Sequence, residues 1–183
     1  MVKLTGQNAV TINSLILAVA FLAMTSCVAA AADATPDEVS GGYVFLRGLG
    51  GGYDGSSAGW LASIAWRVRG PITLTLELGE SYQTFESLTP GLQGSRSSTG
   101  HFMAGPRRGW RQGDSVRPFV QLLLGAVQSG DNYGAGTASF VWQPGLGVDL
   151  KVNRLMSVRV QGDCRLFLLL PELRLATSVV FSR

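Results

Sequence analysis

Few side chains in this sequence have the chemistry of a catalytic site. His101 is the single histidine among 183 residues, and nucleophilic catalysis needs a nucleophile, a base and a group that orients the base. No serine beside an acidic residue lies near His101 in the sequence. A lone histidine on the polar side of an extended segment is more typical of a hydrogen-bonded interior residue than of a catalytic base. We therefore predict no catalytic residues and no enzymatic activity.

Binding motifs for metals, nucleotides and nucleic acids are also missing from the sequence. No group of His, Cys, Asp and Glu has the spacing of metal ligands. The glycine-rich run Gly48–Gly52 lacks the Lys-Ser/Thr pair of a phosphate-binding loop. The 15 basic and 12 acidic residues are scattered, without the clustered Lys and Arg that contact nucleic acid. We expect no metal site, no bound cofactor and no nucleic-acid partner.

The elements that position the charged residues are predicted to be β-strands. In Ile72–Leu78 four apolar residues alternate with two threonines and Glu77, a period of two that a helix cannot produce. Similar alternation, in places less regular, predicts eight strands at about 42–52, 58–68, 72–78, 99–110, 116–127, 141–152, 156–163 and 173–182. The Ser- and Gly-rich stretch Thr84–Ser98 is predicted to be a surface loop. After Asp33 no apolar stretch reaches 18 residues, the length of a membrane-spanning helix. We therefore predict an all-β domain.

The polar side of this alternation carries charged residues of both signs: Glu77, Arg107, Asp149, Arg159 and Asp163. Side chains just fill the interior of a closed eight-stranded barrel. If the polar side faces inward, these five residues are predicted to form a charge network that holds the lumen closed. The apolar side would then face lipid, with Trp60, Trp66, Trp110, Trp142 and Phe181 near the two interfaces. Alternation alone also allows the reverse arrangement, a soluble barrel with an apolar interior.

The N-terminus has the organisation of an export signal. Lys3 precedes the apolar run Ser14–Met24, and small residues follow up to Ala32, as in secretory signal peptides. We expect residues 1–32 to be a cleaved signal peptide and residues 33–183 to form one barrel domain. The four residues MTSC that end at Cys27 also resemble a lipobox, so lipidation of Cys27 is an alternative to ordinary cleavage.

Several short motifs after residue 40 resemble one known family. They are Gly41–Tyr43 (GGY), Met103–Arg107 (MAGPR), Arg117–Gln121 (RPFVQ), Gly145–Asp149 (GLGVD) and Val158–Asp163 (VRVQGD). In this order and spacing they resemble the OmpA-type outer-membrane β-barrel domain family. The resemblance implies a closed, antiparallel, up-and-down transmembrane β-barrel of about eight strands. It also implies a location in the outer membrane of a Gram-negative-type bacterium.

The last strand resembles the C-terminal signal that the barrel assembly machinery recognises in that family. Phe181 supplies the aromatic residue near the end, although two polar residues follow it here. The resemblance therefore implies two partners, the outer-membrane lipids and the assembly machinery. Cys164 stands where family members tend to have Tyr, and it is expected to face lipid as a small apolar residue.

These features predict an integral outer-membrane barrel protein with a structural, surface-anchoring or loop-mediated interaction role and no catalysis. Two alternatives stay open. A narrow, porin-like channel would need a continuous water path among the lumen charges. A secreted soluble barrel that binds a small apolar ligand would need the apolar face inside. The sequence identifies no specific protein partner.

Overall fold

The computed structural model of the chain describes residues 36–48, 56–85, 95–110, 115–131, 137–166 and 171–183. Over these residues the chain forms eight strands: β1 (Glu38–Gly48), β2 (Ser56–Arg69), β3 (Ile72–Phe85), β4 (Ser95–Gly109), β5 (Val116–Asp131), β6 (Thr137–Lys151), β7 (Met156–Leu166) and β8 (Pro171–Ser182). The segment predicted to be a signal peptide, together with Cys27, lies outside the described residues. The described part of the chain contains no helix long and apolar enough to cross a membrane.

The eight strands form one closed sheet. Each strand pairs antiparallel with the next along the chain, and β8 returns to pair with β1, where Gly41 lies opposite Val179. Closure gives every strand a partner on both sides and leaves no free edge. The prediction of a closed, antiparallel, up-and-down barrel of eight strands is therefore confirmed.

The two ends of the barrel differ in their connections. At one end, here called the turn end, β1 begins, β8 ends, and short links join β2 to β3, β4 to β5 and β6 to β7. Gly70 adopts a φ of 55° in the first of these turns, a conformation that a residue with a Cβ rarely adopts. The opposite end, here called the loop end, carries the other four connections, all of which lie outside the described residues.

The two faces of each strand differ in chemistry as the alternation predicts, with one exception. Inward side chains are charged or polar at most depths, whereas some inward side chains from mid-barrel toward the loop end are apolar. The latter form two buried clusters, one of Val44, Leu46, Leu61 and Ala176 and one of Met103, Leu123, Val127 and Val141. The polar interior predicted from the alternation is therefore interrupted by these two apolar clusters. In β1 the run Val44–Leu46 is apolar on both faces, so alternation gave no signal there.

Three predicted strand boundaries were also wrong. β1 begins at Glu38 rather than near residue 42, and β3 and β4 extend into the predicted loop Thr84–Ser98. The strand ends in that predicted loop are mostly polar. A strand that is polar on both faces has no period-two contrast, so hydrophobic periodicity cannot detect it.

Candidate functional site

The charged lumen is the candidate functional site, and its first part lies near the turn end. Five strands each contribute one ionisable residue to it, namely Glu38, Arg107, Arg117, Asp149 and Arg159, here called the turn-end cluster. Four of these side chains are buried, and Arg117 is 39% exposed. Buried charges are stable only when they are paired and hydrogen-bonded, so the geometry of the pairs decides what this cluster can do.

Arg159 is the centre of the turn-end cluster. It lies directly opposite Asp149 in the β6–β7 register, and its Nε and Nη2 donate to the two carboxylate oxygens of Asp149 at 2.6 and 2.9 Å. This is the two-point geometry in which a guanidinium binds a carboxylate most strongly. Nη2 also donates to Oε2 of Glu38 at 3.0 Å. Because β1 and β7 both flank β8, the contact with Glu38 passes over β8 on the inside of the barrel.

Two further arginines converge on Glu38. Nη1 of Arg117 lies 3.3 Å from Oε1, and Nη1 of Arg107 lies 3.7 Å from Oε2. Arg107 also donates from Nε and Nη2 to the side-chain oxygen of Gln121 at 3.0 and 2.8 Å. Its guanidinium stands 4.9 Å from the ring centre of Phe119, within the range of a cation–π contact. Three cations thus surround one carboxylate at this depth.

A second group, here called the mid-barrel cluster, contains Glu77, His101, Asp163, Arg165 and Arg174, all of them buried. Arg174 on β8 lies opposite Asp163 in the β7–β8 register, and its Nη1 donates to Oδ2 at 2.8 Å. Its Nη2 is 2.9 Å from Oε1 of Glu77. Glu77 belongs to β3, on the far side of the barrel, so this pair also spans the lumen.

Amide side chains connect the remaining charges. Arg165 donates from Nε to Gln143 at 2.9 Å, and its Nη1 lies 3.5 Å from Glu172. Gln121 donates to Oδ1 of Asp163 at 2.9 Å. Since Gln121 also accepts from Arg107, it links the turn-end cluster to the mid-barrel cluster.

The ion pairs of the lumen contain equal numbers of cations and anions, and a glycine makes room for one of the carboxylates. The described lumen contains five arginines, at 107, 117, 159, 165 and 174, and five carboxylates, at 38, 77, 149, 163 and 172. A Cβ added at Gly145 would collide with the carboxylate of Asp163, so that glycine is needed for the carboxylate to reach its partners. This arrangement can tie opposite walls of the barrel together.

His101 has no arrangement that would support catalysis. Its Nε2 lies 3.5 Å from Oε1 of Glu77, and neither ring nitrogen has a hydrogen-bond partner within the described chain. A base that activates a nucleophile should lie within hydrogen-bond reach of it. Within the described ranges, no group of three or more His, Cys, Asp and Glu residues is placed to hold a metal ion.

The structure places all five predicted network residues inside the barrel, but not as one set of direct pairs. Arg107, Asp149 and Arg159 belong to the turn-end cluster, and Glu77 and Asp163 belong to the mid-barrel cluster. Sequence reasoning missed Glu38 and Arg174, each of which makes ion pairs across the lumen. Arg174 was detectable, since it alternates with Leu173 and Leu175. Glu38 was not, because the first strand was expected to begin after it.

The outer wall is apolar and is bounded by aromatic residues at both ends. Leu122 and Leu146 lie on the outer surface of the wall, 39% and 66% exposed. Trp142 is exposed on the side of the loop end, and Trp110 and Phe181 are exposed at the turn end. An apolar band between two aromatic girdles is characteristic of barrels in outer membranes.

No protein-family model and no curated protein matches the chain. Several solved structures match the chain. Neisserial surface protein A (NspA) matches with a TM-score of 0.65 at 10% identity, covering 80% of this chain and 96% of its own. The chain has the fold of small outer-membrane β-barrels.

Two further similar structures come from other bacteria. Ail, the attachment invasion locus protein of Yersinia pestis, solved with the heparin analogue sucrose octasulfate, has a TM-score of 0.58 at 14% identity and covers 79% of this chain and 96% of its own. The N-terminal β-barrel domain of Pseudomonas aeruginosa OprF has a TM-score of 0.52 at 14% identity, covering 81% and 98%. At such low identity these similarities establish the fold and no specific role.

Proposed function

We propose that this chain is an integral outer-membrane protein whose barrel anchors its connecting loops at the cell surface, with a structural or loop-mediated interaction role and no catalysis. The observation that carries this proposal is the inverted distribution of side chains, with buried ion pairs inside and an apolar wall outside. Backbone groups at membrane depth need internal partners, and a closed barrel provides them for every strand. The fold shared with NspA, Ail and OprF supports the same conclusion.

The same distribution argues against a soluble barrel with an apolar ligand. Such a protein needs a polar exterior, whereas exposed Leu, Val, Trp and Phe side chains cover this outer wall. Soluble monomers rarely expose contiguous apolar patches larger than a few hundred Å². In a lipid environment these apolar side chains are not exposed to water, so the free-energy cost of hydrating them is absent.

A conducting channel is also disfavoured by the geometry of the lumen. The pairs Arg159–Glu38 and Arg174–Glu77 each join non-adjacent strands across the interior. Arginine and carboxylate groups that are in contact at 2.9 and 3.0 Å occupy space that a water-filled path would need. We infer that the lumen charges keep the barrel closed.

Export and assembly form part of the proposal. Residues 1–32 direct export, and Cys27 offers lipid attachment as an alternative to ordinary cleavage. β8 presents Leu173, Leu175, Val179 and Phe181 on its outer face, which is the side that the barrel assembly machinery would read. The outer-membrane lipids are then the solvent of the finished barrel.

The first experiment is gel mobility of the outer-membrane fraction with and without boiling, on the full chain and on two matched variants. Leu122→Arg places a charge mid-wall on β5, and Ser115→Arg places the same charge in an exposed turn. We expect a mobility shift for the parent and for Ser115→Arg. A mid-membrane Arg costs about 2–4 kcal/mol, so Leu122→Arg should lose much of the shifted band. A soluble chain that tolerates Leu122→Arg would refute the membrane proposal.

A conductance measurement tests the closed lumen separately. The folded barrel in planar bilayers should show no stable single-channel steps, because ion pairs cross the interior. Reproducible steps would contradict the closed lumen and favour the porin-like alternative, while leaving the location in the membrane intact.

A further inference from the structure

The two ends of the barrel carry unequal exposed charge. Six exposed cations lie around the turn end among the described residues, namely Arg67, Arg69, Arg108, Lys151, Arg154 and Arg183. Around the loop end, the described outer wall carries one exposed cation, Arg47, and the partly buried Glu80. Exposed positive charge is thus concentrated where the wall meets the turns.

Two of these cations lie close together on the outer wall. In the strand register, Arg69 on β2 lies opposite Ile72 on β3, and Ile72 lies opposite Arg108 on β4. Neighbouring strands are about 4.8 Å apart, so the two arginine backbones are about 10 Å apart with Ile72 between them. A register shift between Arg67 and Arg69 turns Arg69 onto the same face as Ile72.

These two arginines have no acidic partner among the described residues. The guanidinium of Arg108 stands 5.5 Å from the ring centre of Trp110. The carboxylate of Asp37, in the residue before β1, accepts the backbone N–H of Arg67 at 2.6 Å. Among the described residues, no acidic group therefore competes with an external anion for the guanidinium groups of Arg69 and Arg108.

We propose that this patch, formed by Arg69, Ile72, Arg108 and Trp110, binds the phosphate headgroup of an anionic phospholipid. Guanidinium groups form two-point hydrogen bonds with phosphate oxygens. Trp110 belongs to the aromatic girdle at the turn end, which is the depth of the headgroups. Ile72, 40% exposed between the arginines, faces the acyl chains beneath the phosphate.

This inference rests on the proposed membrane location and adds the class of lipid and the leaflet. In an outer-membrane barrel the short turns face the periplasm, so the bound lipid belongs to the inner leaflet. Lys151 and Arg154 are at the same end, but they line a cavity of about 170 Å³ at the mouth of the lumen, with Asp149 and Glu38 below them. They have similar charge without facing the lipid, which makes them a matched control.

The test is native mass spectrometry of the folded full chain in detergent with equal amounts of phosphatidylglycerol and phosphatidylcholine of the same acyl chains. The measured quantity is the ratio of the two lipids retained on the barrel. We expect phosphatidylglycerol to be enriched on the parent. One basic residue near an anionic lipid surface changes binding roughly fivefold. The variant Arg69→Gln/Arg108→Gln should therefore lose more than tenfold of the enrichment, and each single variant a part of it.

The control variant Lys151→Gln/Arg154→Gln removes the same charge from the mouth and should keep the parent ratio. An unchanged ratio in Arg69→Gln/Arg108→Gln would overturn the proposal. An equal loss in the mouth control would also overturn it, because net charge rather than this patch would then select the lipid. Folding in phosphatidylcholine alone, followed by gel mobility, separates these results from a failure of the membrane proposal. If the double variant does not fold, the two single variants carry the test.

Discussion

Replacing Arg159 by Met should reveal how much the buried lumen pairs contribute to stability. The substitution removes three charge-assisted hydrogen bonds, two to Asp149 and one to Glu38. Removing one partner of a buried ion pair costs about 3–5 kcal/mol, because the other charge is left buried. Glu38 keeps two nearby arginines, Arg107 and Arg117. The decrease in stability should therefore come mainly from the carboxylate of Asp149, which is left buried without a partner. The carboxylate side chains of Glu38 and Asp149 are each still 9% exposed. The expected decrease in the free energy of unfolding is therefore near 3 kcal/mol, about the lower end of that range.

A second substitution separates the ion pair from simple packing. In Arg159→Met/Asp149→Leu both charges are gone, and apolar replacement of a buried pair is often neutral or stabilising. The double variant should therefore recover to within about 1 kcal/mol of the parent. Lys151→Met, an exposed change at the same end of the barrel, should stay within about 0.5 kcal/mol.

Urea unfolding of the barrel in phospholipid vesicles measures these differences, with tryptophan fluorescence and gel mobility as independent readouts. The free energy of unfolding follows from the linear dependence on urea concentration. The reasoning fails if Arg159→Met unfolds at the parent urea concentration. It also fails if the double variant is as unstable as the single one, since an unpaired carboxylate would then not be the cause.

Three further predictions test other parts of the wall and lumen. Gly145→Ala should lower the free energy of unfolding by about 1–3 kcal/mol through overpacking against a lumen carboxylate. Gly162→Ala, whose added Cβ meets nothing within 4 Å, should be nearly neutral, and equal urea midpoints for the two variants would contradict the packing argument. Cys164, whose side chain is on the outer wall, should not react with a water-soluble maleimide in the folded barrel in vesicles and should react after unfolding. A Cys27→Ser background restricts labelling to Cys164, and rapid labelling of the folded barrel would show that Cys164 faces water. Arg174→Met leaves two carboxylates buried and should lower the free energy of unfolding by about 3–5 kcal/mol, and an unchanged urea midpoint would refute its role.

The sequence predicts the strands well where one face of each meets a different environment from the other. Ile72–Leu78 lies in the wall with apolar residues outward and Glu77 inward, so its alternation records the geometry directly. The signal disappears where both faces share one environment. Val44–Leu46 has an apolar lumen on one side and the apolar outer wall on the other, and the polar ends of β3 and β4 extend into the predicted loop.

The lumen pairs illustrate a second limit. The alternation of inward and outward residues along each strand predicts that Asp149, Arg159 and Asp163 share the inner face. All three are buried there. This alternation does not predict which residues meet inside the lumen, because those contacts depend on strand tilt and register around the whole barrel. Alternation places Arg174 on the inner face, but its pairing with Glu77 and the pairing of Glu38 with Arg159 became known only from the register.

The contact between Glu38 and Arg159 also has a consequence for folding kinetics. The two residues are 121 positions apart in the chain, and their strands come together only when β1 pairs with β8. Contacts of such long sequence separation form late, because the loop-closure entropy opposes them until the sheet is complete. Interactions absent from the transition state control the unfolding rate rather than the folding rate. The central arginine pairs should therefore set how long a finished barrel persists, while its rate of insertion depends on the strands that pair first.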